Sequence, residues 1–119
     1  MEFQVDIWLR GENHATTEAL APVSRPPGDW TEGDVADVLV AMLRAIDRAK
    51  NPDSPPDRTI GLRGFSWIVN PFESGGVVIA LEMTMGAVIG GPFNIAEARL
   101  SDMIRRVMEA SRGAMPTVH

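Results

Sequence analysis

Glu82 is the only charged residue in the long apolar run from Val77 to Ile89. A carboxyl set among apolar neighbours such as Val78, Ala80 and Val88 is the kind of group that proteins use as a general acid or base. Asp6, at an alternate position of an earlier apolar stretch, is the second candidate. Two carboxyls brought close together would sharpen that chemistry, because like charges push their proton affinities apart. The ordinary reading of Glu82 is a solvated strand residue, or one end of an ion pair with Arg10 or Arg63.

Other constellations are thinner. His14 is the one histidine away from the C-terminus, and Glu12, Asn13 and Glu18 lie near it. A metal centre needs three or four converging ligands, and this loose loop spacing does not supply them, so no metal site is expected. No Gly-x-Ser-x-Gly elbow occurs. Cysteine is absent, which removes disulfides, thiolate zinc sites, iron–sulfur clusters and a thiol nucleophile. Gly90 and Gly91 stand ahead of a helix, where backbone N–H groups can hold an anion. Pro92 removes one of those donors, and neither Gly-x-Gly-x-x-Gly nor a Walker sequence is present, so turn and cap are expected there. Arg99, Arg105, Arg106 and Arg112 gather on one helix, interleaved with Glu97, Asp102 and Glu109 as on a solvated face.

These groups are positioned by elements that the periodicity reveals. Phe3, Val5, Ile7 and Leu9 alternate with polar residues, except at Trp8, and predict a strand near 2–10 with one buried face. Thr31 with Asp34 forms a capping-box pattern, and Trp30 with Val35 a hydrophobic staple. Val35, Val38, Leu39, Met42, Ile46 and Ala49 then recur on one face of a helix near 31–50. Strands follow near 62–70 and 76–89, joined by Pro71 to Gly76. Asn94 and Glu97 open a second helix near 94–112, with Leu100, Met103, Ile104 and Val107 as its stripe. Met42, Met83, Met85 and Met103 fall on core stripes as gap-fillers.

The expected fold is α+β, in the order β-α-β-β-α. Its mixed sheet has three or four strands in the order 1-3-2, a ferredoxin-like half, with both helices on one face. The first two strands run parallel across a helical crossover. A short strand at Ala15 to Leu20 is the optional fourth. Pro-rich stretches at 11–29 and 51–58 are loops. Trp67 is expected in the core, and Trp8 outside it. Residues 1–113 form one domain, and 114–119 a loose C-terminal tail.

Length and charge bound the rest. With 119 residues, 45% hydrophobic and 23% charged, the chain is a single globular domain rather than a disordered one. A net charge of −5, with Lys50 the sole lysine, and a pI near 4.9 argue against nucleic-acid binding. No apolar run is long enough to span a bilayer, and no secretory signal opens the chain. A soluble, cytoplasmic protein without cofactor is expected.

The sheet face away from the helices is too apolar for free solvent. Trp8, Ile68, Val78, Ala80, Glu82 and Thr84 are expected to form a ligand or partner surface there. The leading expectation is a small non-enzymatic binding module that self-associates through its sheet, most simply as a homodimer. A protein partner or a small apolar ligand would be its other occupants. The self-association argument rests on strand one being an unblunted edge and on Trp8 facing outward. One alternative is a small isomerase- or lyase-type enzyme using Glu82 or Asp6. Another is an acidic inhibitor or immunity-type protein that binds another protein.

Overall fold

β1 (Phe3–Leu9) buries Phe3, Val5 and Ile7 and turns Gln4, Asp6 and Trp8 the other way. In the computed structural model, which describes residues 1–53 and 60–113, β1 lies inside a five-stranded sheet. β2 (Thr16–Leu20), α1 (Glu32–Lys50), β3 (Ser66–Pro71), β4 (Val77–Met83), β5 (Gly86–Phe93) and α2 (Glu97–Gly113) follow. The strand order is β2-β1-β5-β4-β3, and every neighbouring pair is antiparallel.

The α+β class and the two helices on one face are as the sequence implies. The strand count and order are not. The apolar run 76–89 is two strands, because Thr84-Met85 makes a tight turn between β4 and β5. β5 thereby takes the place beside β1, and β3 is carried to the far edge. β1 and β3 then run in opposite directions rather than parallel. The crossover rule applies to parallel strands of one sheet; inserting the β4–β5 hairpin removes that condition.

That turn also reverses the alternation. On β4 the odd positions Val77, Ile79 and Leu81 are buried, whereas on β5 Val88 is buried and Ile89 is exposed. Val88, expected on the open face, is wholly buried. Gly86 permits the close approach after the turn: a Cβ there would lie 2.1 Å from the Trp8 carbonyl oxygen. The stretch Ala15 to Leu20 supplies a true strand, and it covers the edge of β1.

The layer opposite is built by the helices. α1 packs over β1, β5 and β2, and α2 over β3 and α1. α1 begins as its sequence implies. The Asp34 N–H donates to Thr31 Oγ1 at 3.2 Å, and the Thr31 N–H donates to Asp34 Oδ2 at 3.0 Å. α1 buries Val35, Val38, Leu39, Met42 and Ile46, and α2 buries Leu100, Met103, Ile104 and Val107. Gly90 leaves room beneath α1, since a Cβ there would stand 3.1 Å from Met42 Cε. Asn94 and Ile95 precede α2 rather than opening it.

Of the two tryptophan expectations, Trp8 outside the core agrees with the structure and Trp67 in the core does not. Trp30 is the buried one, at 2% exposure. Its ring centroid lies 5.1 Å from that of Phe93, which meets Phe3 edge-on at 4.9 Å. Trp67 is half-buried against the core, and Trp8 is exposed. The tail 114–119 and part of the second Pro-rich loop lie outside the described residues. Among the described residues no helix is long and apolar enough to cross a membrane.

Candidate functional site

Residues directly opposite one another on neighbouring strands project to the same side of a sheet, about 5 Å apart. The pairing register therefore writes out the helix-free face in rows. One row reads Thr17, Asp6, Ile89, Ala80 and Ile68, crossing all five strands. The next reads Trp8, Ala87, Glu82 and Ser66. Beyond the first row, Gln4 faces Ala19, and Asn70 faces Val78.

Size sets the relief of this face. Ala80 and Ala87 are short, while Ile68 and Ile89 stand beside them. The result is a shallow depression of about 310 Å³ lined by Ser66, Ile68, Ala80, Glu82, Ala87 and Ile89, among others. Trp8 and Glu82 also share a second hollow, which runs toward the β4–β5 turn. Ile68 is 52% exposed, and Trp8 and Ile89 are each 38% exposed. The long loop 11–29 does not cover them. It supplies β2 at the edge and then passes to the helix side, where Pro27 and Trp30 are buried.

Five of the six residues expected on this surface are there: Trp8, Ile68, Val78, Ala80 and Glu82. Thr84 is not a strand residue. It sits in the β4–β5 turn, and its carbonyl oxygen accepts a hydrogen bond from Arg10 Nε at 3.0 Å. Ile89 and Ala87 lie outside the expected surface, because the parity reversal at Thr84-Met85 is marked locally only by Gly86, which equally fits a bulge within one strand. Asp6 and Glu82 are not brought together. β5 runs between them, so about 10 Å of sheet separates their strands. Asp6 Oδ1 instead accepts a hydrogen bond from Thr17 Oγ1 at 2.7 Å. Among the described residues neither carboxylate enters an ion pair.

The remaining candidates resolve into structural roles. His14 sits at the β1–β2 hairpin, 70% exposed, with its Nε2 3.9 Å from Glu12 Oε1. Glu18 turns to the helix side and pairs with Arg48 of α1. Gly90 and Gly91 belong to β5, not to a helix N-terminus, so the anion reading of that segment fails on geometry. Arg105 pairs with Asp102 at 2.7 Å, and Arg106 with Glu32 at 3.4 Å. Arg99 donates to the carbonyl oxygens of Gly28 and Trp30. The Arg112 side chain lies outside the description. A bidentate pair that the sequence reading passed over joins Arg25 to buried Asp34, at 2.8 and 2.7 Å. Arg25 and the Thr31 backbone N–H together hold the Asp34 carboxyl well below the usual carboxylate range.

No family model, curated protein or solved structure matches the chain.

Proposed function

We propose that this protein is a small interaction module whose working surface is the helix-free face of its sheet. The observation that carries this reading is that Ile68 and Ile89 line a depression floored by Ala80 and Ala87, with Trp8 next to Ala87 in the adjoining hollow. Single exposed apolar residues are ordinary on any protein. Three large ones on two adjoining hollows, on the face left bare by both helices, are the composition of a docking patch. An acid–base site is the weaker reading, since the two carboxyls that would serve it stand on either side of β5.

One experiment separates docking from folding. The double variant Ile68→Ser/Ile89→Ser is unfolded in urea beside Ile79→Ala, which empties a wholly buried position. A docking face contributes little to the isolated fold, so the double variant should stay within about 0.5 kcal/mol of wild type. Ile79→Ala should cost about 2–5 kcal/mol. A double variant as damaged as Ile79→Ala would make the face structural and end the reading.

A further inference from the structure

We infer, resting on that docking reading, that the face takes a basic protein surface, an apolar centre flanked by lysine or arginine, rather than a second copy of this chain. The argument begins with charge. The paired strand positions on this face are those of the rows given above, from Thr17 to Ile68 and from Trp8 to Ser66, with Gln4, Ala19, Asn70 and Val78 beyond them. Two of these are acids, Asp6 and Glu82, and none is a cation.

Among the described residues, four arginines are committed away from this face. Arg25 is held by Asp34, Arg48 by Glu18, Arg105 by Asp102 and Arg106 by Glu32. Arg10 lies beyond the end of β1, at the rim of the Trp8–Glu82 hollow, where its Nε donates to the Thr84 carbonyl oxygen and its charge is matched by Glu12 at the same rim. A second copy laid face to face would enclose four carboxylates with no cation among the strands that carry them. Buried charges without partners oppose association, and like charges across an interface select against the wrong partner.

Area points the same way. Five strands about 4.8 Å apart and five to eight residues long offer a face of roughly 400 Å². A contact confined to it is smaller than a standard interface, so its strength must draw on more than apolar burial. Cations opposite Asp6 and Glu82 would supply that, on either side of an apolar anchor seated over Ala80 and Ala87.

The test uses the full chain labelled for NMR and two synthetic peptides of equal length. Both alternate leucine with a charged residue, lysine in one and glutamate in the other. The lysine peptide should perturb amides around Trp8, Glu82 and Ile89. Its affinity should fall at least about tenfold between low salt and roughly 0.5 M salt. Asp6→Asn/Glu82→Gln should weaken it to a similar degree, and the glutamate peptide should leave the face unperturbed. Equal binding of both peptides at this face would overturn the charge inference while leaving the docking reading intact. So would a wild-type chain that sediments as a dimer at neutral pH and dissociates in Ile89→Ser. Failure of the lysine peptide to perturb the face would also overturn the inference. None of these peptide or sedimentation results bears on the docking reading, which the urea comparison tests separately.

Discussion

Trp8 and Glu82 stand in one row of the helix-free sheet face with only Ala87 between them. A large indole and a carboxylate are thus displayed side by side over a methyl group. The arrangement follows from antiparallel register on both sides of β5: Ala87 faces Trp8 across one ladder and Glu82 across the other. Binding surfaces concentrate their energy in such aromatic anchors, with charges at the margin setting specificity.

The three tryptophans should separate cleanly in denaturation. Trp30 is buried against Phe93, and its Nε1 donates to the Arg25 carbonyl oxygen at 3.0 Å. Trp30→Ala should cost about 3–5 kcal/mol in urea unfolding. Trp67→Ala, at a half-buried site, should cost less, and Trp8→Ala least of all. An inverted order would mean that Trp30 does not organise the junction of β5 and α1.

Acid should act through Asp34. Its carboxyl ionises more readily in the folded chain than in the unfolded one, where the ordinary value is about 3.9. Folding therefore favours the ionised form. The stabilisation is complete above about pH 4 and is lost progressively as the pH falls below it. Urea midpoints measured from neutral pH down to acid should decline in this window for wild type. The decline should be shallower in Arg25→Met, which removes the guanidinium, and shallower still in Asp34→Asn. Superimposable profiles for all three chains would remove Asp34 from the account of acid sensitivity.

The sequence discloses much of this fold where one physical rule acts alone. The cap of α1 is legible because Thr31 and Asp34 satisfy each other's backbone over three residues. β1 is legible because its burial alternates strictly. The sheet order is not, and its loss traces to Thr84-Met85. That turn carries no Asn-Gly or Pro signal, and neither residue takes a positive φ. The apolar parity therefore reads straight through it as one long strand. With the turn hidden, Ile89 reads as core and Val88 as surface, the reverse of their places. β2 is faint for another reason: at an edge, only Leu20 of its five residues is buried. Once β2 is recognised, β1 is no longer an edge. The edge-pairing route to self-association, which rests on a bare β1, then loses its premise. The candidate face survives these corrections because Trp8, Ile68, Ala80 and Glu82 lie on strands whose parity was read correctly.

Photo-crosslinking in the protein's own cells tests the docking face most directly. A photoreactive phenylalanine analogue is introduced in place of Ile68 or Ile89 on the open face, and in place of Asp37 or Glu109 on exposed helical positions. The account predicts a discrete heterologous adduct from both sheet positions, absent from both helical positions and diminished when Trp8→Ala is added. Adducts of equal yield from the helical positions, or none from the sheet positions, would contradict it.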